Sequence, residues 1–314
     1  MIPLTAVIEA ASRPFRRLST RTVPTNFGGE MPALQINGGK VAYEILGEGD
    51  PIVLTPGGRF SMGIAGLRPL AEALSPHMKV LIWDRPNAGA SDLNFTGETE
   101  SDMHADTLAE LLLQLDMAPA VIAGGSAGAR VSLLTAVRHP DVARQVLGWW
   151  LSGGVYGTLI LAMTYNLPFM ATALTGGMKA VADMPQWAET IAANPDNRER
   201  LLGMDVEEFL DVMDRWVRAF VPEEGKPIPG VTKEDLASIK APTVIWRSSP
   251  LDRYHTEETS LRVHSCIPGA KLVEPPWGDD EWTRLQILSS QGKGHIFDTW
   301  PKLAPQILHY AKDA

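Results

Sequence analysis

The chain has 314 residues, a formal charge of −9 and 45% hydrophobic residues. This length suits one large α/β domain with an insertion, the acidic balance argues against a nucleic-acid partner, and the apolar share excludes a disordered or fibrous chain. The single cysteine, Cys266, excludes an internal disulfide and fits a reducing, cytoplasmic setting. No uninterrupted apolar run reaches the roughly 18 residues of a membrane span. The nearest, GWWLSGGVYGTLILAMTY, is broken by Gly, Ser and Tyr.

Residues 1–30 read as an N-terminal arm. In its first two dozen residues Arg13, Arg16, Arg17 and Arg21 stand against Glu9 alone, a balance that organelle transit peptides share. A surface arm packing on its own domain or on a sister subunit is the plainer expectation, and a homodimer is compatible with it. MPALQI, Asn37-Gly38-Gly39 and KVAYEIL then predict a hairpin. PIVLT (51–55) predicts a buried strand ending at Pro56-Gly57-Gly58, GLRPLAEALS a helix and MKVLIWD (78–84) another buried strand. Residues 101–117 predict a helix with Ser101 as its N-cap. APAVIAG (118–124) is the next strand, ARVSLLTAVRHP a helix stopped by Pro140, and 143–153 a strand.

Short apolar strands alternating with helices indicate βαβ units on a mostly parallel sheet. The alternation stops over 154–236, a helix-rich block holding Met163, Met170, Met178, Met184, Met204 and Met213. It resumes with a strand at 241–249, a helix near 256–266, a strand at 270–275 and a last helix near 301–312. The expected organisation is therefore a core of 31–153 and 237–314, interrupted by a helical cap, or lid, of 154–236.

Chemistry concentrates at Gly124-Gly125-Ser126-Ala127-Gly128, a G-x-S-x-G between a strand and a helix. A serine on so sharp a turn needs neighbours without bulk two residues before and after it, and its hydroxyl then stands above the sheet as a nucleophile elbow. The following helix aims its N-terminal amides at the same spot. G-x-G-x-x-G cannot be laid on these residues, which disfavours a dinucleotide cradle.

A serine needs a base, and the base an orienting acid, here in the chain order Ser, acid, His. His295 follows Gly292-Lys293-Gly294 beyond the last strand and is the expected base. His255 lies three residues after the best acid and is expected to have trouble bending back onto it. That acid is Asp252, in RSSPLDRYHT after a strand, although it could instead cap the next helix. Asp279 and Asp280 lie in a polar, Trp-flanked stretch. The amide of Ala127 and one from the Pro56-Gly57-Gly58 turn, assigned to Gly58, are the expected oxyanion donors, worth about 3–4 kcal/mol each.

In these motifs, taken in order with DRPNAGASD (84–92), the chain resembles the lid-bearing α/β-hydrolases, a group of esterases, lactonases, C–C-bond hydrolases and proline iminopeptidases. The resemblance spans roughly 31–312. It implies an eight-stranded, mostly parallel sheet flanked by helices, an inserted cap and a two-step acyl-enzyme mechanism. In DRPNAGASD, Asp84, Gly89 and Ser91 match the family's tight-turn residues. Two departures stand out: Pro56-Gly57 replaces the family's His-Gly, and 275–291 lengthens the stretch between Asp252 and His295, forming an extra element near the pocket rim.

The expected function is a serine hydrolase of a carboxylic ester or lactone with a bulky hydrophobic part. Its apolar wall would draw on Met163, Phe169, Trp187 and Trp216, with the rest of that stripe packing helices. Arg59 and Arg130 flank the catalytic turns; either could hold a substrate carboxylate, though an ion pair is the simpler role. No metal or organic cofactor is expected. The alternatives are a C–C hydrolase of meta-cleavage-type products, a proline-iminopeptidase-like amidase with Glu207 and Glu208 as an amine site, and a non-catalytic ligand receptor.

Overall fold

The computed structural model describes residues 31–312. Its strands are β1 (Ala33–Ile36), β2 (Gly39–Leu46), β3 (Pro51–Thr55), β4 (Lys79–Trp83), β5 (Ala120–Gly125), β6 (Ala143–Trp149), β7 (Thr243–Trp246) and β8 (Lys271–Val273). They form one eight-stranded sheet in the order β1-β2-β4-β3-β5-β6-β7-β8. β1 and β2 pair antiparallel, as do β2 and β4, and every pair from β4 to β8 is parallel. Asn37 and Gly38 both have positive φ, 50° and 82°, as a two-residue hairpin turn matched to strand twist requires.

Three helices pack the first half of the sheet: α1 (Leu67–Leu74), α2 (Glu100–Gln114) and α3 (Ala127–Arg138). Between β6 and β7 come α4 (Gly154–Tyr165), α5 (Leu167–Ala182), α6 (Ala188–Ala193), α7 (Asp196–Leu202), α8 (Val206–Arg218) and α9 (Lys233–Ser238). α10 (Glu257–Cys266), α11 (Glu281–Ser290) and α12 (Ala304–Ala311) complete the chain. The period of two in the strands sorts the core. Ala120 and Ile122 of β5 join Leu108, Leu111 and Val131 of α2 and α3 on one face. Val121 and Ala123 join Leu67, Leu70 and Ile307 of α1 and α12 on the other. Each fully buried Leu or Ile in these layers contributes roughly 1.5–3 kcal/mol.

α2 starts earlier than expected. Thr99, with extended backbone, caps it by accepting the Asp102 N–H at 3.0 Å. Ser101 lies inside the first turn, where its hydroxyl accepts from Arg130 Nε at 2.8 Å. By length and composition, residues 154–193 also form a stretch apolar enough to cross a membrane, which the sequence reading did not anticipate. The backbone nevertheless leaves helical geometry at Asn166 (φ −130°) and Gly177 (φ 66°), and α4 and α5 pack on each other.

Phe169, Trp187 and Trp216 are packed with Met178, Phe209 and Met213 in a separate apolar cluster, each of the three aromatic residues at most 2% exposed. They are thus committed to holding the helices together, with Phe169 and Trp187 also bordering Arg59. Polar side chains of α7 and of Asn194, in the link between α6 and α7, tie this block to the turn after β4. Asn197 accepts the Leu93 N–H (2.8 Å) and donates to the Ser91 carbonyl (2.9 Å), while Asn194 and Arg200 both donate to Asp92 (2.8 and 2.5 Å).

Candidate active site

Ser126 links β5 to α3 with φ 57° and ψ −120°, a region costly for a non-glycine residue. The backbones around it leave no room for side chains. A Cβ on Gly124 would lie 2.5 Å from the Gly128 carbonyl carbon, and one on Gly128 would lie 2.1 Å from the Thr55 oxygen. The Ser126 N–H donates to the Trp149 carbonyl at 3.1 Å, fastening the bend to β6. Its hydroxyl lies 3.0 Å from His255 Nε2 and 3.1 Å from Ser152 Oγ.

His255 Nδ1 in turn lies 2.9 Å from Asp252 Oδ2. A carboxylate only accepts, so Nδ1 donates to Asp252 and Nε2 is the ring nitrogen that faces the Ser126 hydroxyl. The whole chain is enclosed, with Ser126 8% exposed and Asp252 and His255 each 3%. Trp150 stacks on the imidazole at 5.9 Å, and Trp282 meets it perpendicularly at 4.6 Å.

The histidine that completes this chain is therefore His255, and the expectation of His295 is corrected. Asp252 bends the loop back through its other oxygen, which accepts the N–H groups of Tyr254 (2.8 Å) and His255 (3.0 Å). That aspartate turn removes the presumed obstacle of a three-residue separation. Thr256 then caps α10. The sequence signal was Asp-x-x-His directly before a Thr N-cap, a turn running into a helix. His295 is buried against Phe60 (ring centroids 5.7 Å apart) and Phe297. Its N–H donates to Asp298 at 2.6 Å and its Nδ1 accepts the Phe297 N–H at 3.4 Å. Residues 275–291 include α11, which brings Trp282 against His255, and Asp279 pairs with Arg247 at 3.1 Å, away from the imidazole.

The opposite wall is the turn after β3. A Cβ on Gly57 would sit 3.2 Å from that of Ser126, so the turn touches the Ser126 side chain. Arg85 Nη2 donates to the carbonyl oxygens of Gly57 (3.1 Å) and Gly58. In a planar trans peptide the N–H points opposite to the carbonyl; a Gly57 oxygen turned to Arg85 directs the Gly58 N–H away from it. Ala127 opens α3 beside Ser126, its amide among the unpaired donors of the helix start. Beneath the turn, burial pushes the Asp84 carboxyl up to about 6, against the N–H groups of Met62 and Ala90 that it accepts. A Cβ on Gly89 would collide with that carboxyl at 2.1 Å, so the Asp84–Ser91 turn is held by structure.

Arg59 makes a two-pronged pair with Glu100 (2.9 and 3.1 Å) and lies among the rings of Tyr165, Phe169 and Trp187. Burial works against the Glu100 charge, but Arg59 and the bond from Asn87 outweigh it and hold the carboxyl down to about 2. Met163 lies half-buried on α4. Among the described residues no group of His, Cys, Asp and Glu could hold a metal ion.

The sequence model of the alpha/beta hydrolase family matches residues 52–296. The chain belongs to that family. It is 23% identical over 250 residues to the human serine hydrolase BPHL, covering 77% of each chain. Its fold matches the enol-lactonase from Burkholderia xenovorans LB400 with a TM-score of 0.54 and 22% identity, over 83% of this chain and 98% of that one. A thermophilic esterase from Thermogutta terrifontis matches with a TM-score of 0.55 and 16% identity, over 91% and 99%. At such identities the structural likeness speaks for the fold. This α/β hydrolase has an eight-stranded, mostly parallel sheet and, at the Ser126 bend, a histidine that lies beside its aspartate.

Proposed function

We propose that this hydrolase cleaves a carboxylic ester or lactone through Ser126, His255 and Asp252. The observation that carries the reading is the continuous hydrogen-bond chain from the Ser126 hydroxyl through the imidazole to a buried carboxylate, at 3.0 and 2.9 Å. Ser126 Oγ attacks the carbonyl carbon while His255 Nε2 takes its proton. Asp252 holds the Nδ1 proton and steadies the imidazolium. The oxyanion falls between the amides of Ala127 and Gly58, and each such donor contributes about 3–4 kcal/mol at the transition state. The imidazolium returns the proton to the leaving oxygen, and water then attacks the acyl-enzyme by the same route. Lactonase and esterase are activities named for similar structures, and both are acyl transfers to water that this arrangement suits. Apolar rings around the imidazole exclude water and favour a substrate with a hydrophobic part.

Steady-state hydrolysis of a panel of 4-nitrophenyl esters and γ-lactones tests the reading. Turnover by the wild type that is lost by about 10⁴-fold or more in Ser126→Ala is expected. Absence of turnover across the panel, or turnover untouched by Ser126→Ala, sinks it; turnover of a dienoate ketone alone would move the assignment to C–C cleavage.

A further inference from the structure

At this site two residues other than glycine have left-handed backbone, Ser126 (φ 57°) and Trp150 (φ 50°). That conformation is costly for a side chain as bulky as tryptophan and persists only where its surroundings fix it. Trp150 follows β6, whose last residue, Trp149, pairs with Gly125 and accepts the Ser126 N–H through its carbonyl. The Trp150 ring stacks on His255 and meets Trp282 edge-on at 5.1 Å. Two residues further on, Ser152 is 4% exposed and brings its hydroxyl to 3.1 Å from Ser126 Oγ. The Gly153 N–H donates at 3.2 Å to the carbonyl of Tyr254, which lies between Asp252 and His255 in the chain. A Cβ on Gly153 would lie 2.4 Å from Thr259 Oγ1, so the chain has no slack there. Residues 149–153 are therefore fastened to the Ser126 bend at one end and to the His255 loop at the other.

Proton counting sets the direction of the bond between the two serines. A hydroxyl has one proton to give and two lone pairs that accept. For His255 Nε2 to take the Ser126 proton, that proton must point at Nε2, 3.0 Å away, so the donor between the serines is Ser152. Among the described residues Ser126 Oγ is the one hydrogen-bond partner of Ser152 Oγ; with the bond reversed, the buried Ser152 proton would be left without an acceptor, a costly state. Around the tetrahedral Ser126 oxygen, the Cβ bond, the O–H aimed at His255 and the lone pair taken by Ser152 leave one lone pair free. We propose that Ser152 donates to Ser126 Oγ, holds its hydroxyl in the rotamer that faces His255 and leaves a single lone pair to attack the substrate carbonyl. The inference rests on the serine-hydrolase reading above and adds a residue to it. In the attack, Ser126 Oγ bonds to the carbonyl carbon as its proton passes to His255 Nε2, while Ser152 keeps its own proton. When the acyl-enzyme breaks down, Ser126 Oγ leaves the acyl carbon and takes a proton back from His255, and the same donated bond meets the charge building on that oxygen. Fixing the rotamer beforehand removes an orientation cost from both steps.

Two measurements test it: steady-state hydrolysis of 4-nitrophenyl butanoate, and the rate constant for inactivation by an alkyl fluorophosphonate, which reads attack by Ser126 Oγ directly. Ser152→Ala should lower kcat about 3- to 10-fold at unchanged KM and slow inactivation by a similar factor, the worth of one neutral hydrogen bond. Ser152→Thr, which keeps a hydroxyl, should recover most of both. A role in packing alone would move the unfolding midpoint and leave the inactivation rate at the wild-type value. Should Ser152→Ala fail to fold, Ser152→Cys, whose thiol is a weaker donor, carries the test with the same direction expected. Inactivation and kcat at or above wild type in the folded variant, or a rise in KM at constant kcat, overturn the role of Ser152 and leave the hydrolase reading intact. If the wild type is labelled at Ser126 but turns over no ester, the ester reading fails and the inactivation rates alone decide on Ser152. A wild type that neither turns over ester nor is labelled at Ser126 overturns both.

Discussion

One loop follows β7 and another lies beyond the neighbouring strand β8, after α11, and each holds a histidine and an aspartate three residues apart. After β7 the aspartate comes first. One oxygen of Asp252 folds the loop by accepting the N–H groups of Tyr254 and His255, and the other holds His255 Nδ1. After β8 the histidine comes first. Asp298 accepts the His295 main-chain N–H, and His295 Nδ1 accepts from the main chain of Phe297. The same two residue types in opposite order therefore yield different rings. One imidazole donates from Nδ1 to an acid and turns Nε2 to Ser126; the other uses Nδ1 as an acceptor within its own turn. Chain position marks both loops, but turn chemistry decides which ring can serve as a base.

The largest expected effect tests that contrast directly. His255→Ala should lower kcat on a 4-nitrophenyl ester by about 10⁴-fold or more, whereas His295→Ala should stay within about tenfold of wild type. The reverse ranking in steady-state assays would break the comparison. A smaller effect sharpens it, because the Gly57-Gly58 turn, proposed to hold the oxyanion, is like the Asp252 loop shaped by one charged side chain gripping main chain. Arg85→Met should lower kcat about tenfold with little change in KM, less than the roughly 10²–10³-fold seen when an oxyanion donor itself is removed. A rise in KM at constant kcat would place Arg85 in substrate binding instead.

The smallest effect on catalysis should come from Glu100→Gln, which removes a buried partner of Arg59 and touches no reacting group. Its cost should appear in stability, about 3 kcal/mol at pH 7 by denaturant unfolding. The Glu100 carboxyl is held at about 2, below its ordinary value of 4.5, so the folded state favours the ionised form. That contribution is fully present above about 4.5 and lost as pH falls through about 2. The gap between wild type and variant should narrow over that window; a gap constant with pH would assign the loss to packing.

Much of the fold was legible because the signals were local. Apolar strand runs alternating with helical spacing predicted the parallel sheet, and Asn37-Gly38 predicted its hairpin. Gly124, Ser126 and Gly128 marked the elbow because the backbones cross too closely there for a Cβ. The N-cap at Ser101 was misplaced by two residues because Thr99, Ser101 and Asp102 all have capping chemistry, and only the extended backbone of Thr99 selects among them. The aromatic residues assigned to a pocket wall show a harder limit. Helical spacing tells that Phe169, Trp187 and Trp216 face inward, not whether substrate or Phe209 and Met213 wait there. The arm of residues 1–30 lies outside the described residues.

The sequence alone determined the order of strands and helices and the serine at its bend, because periodicity, glycine placement and sharp turns act over a few residues. Which histidine meets that serine was decided only in three dimensions. The choice depends on how β5 and β7 are spaced by β6, how Asp252 folds its own loop, and how Trp150 and Trp282 enclose His255. Those contacts join residues far apart in the chain, so neither the spacing nor the composition of any single segment could specify them.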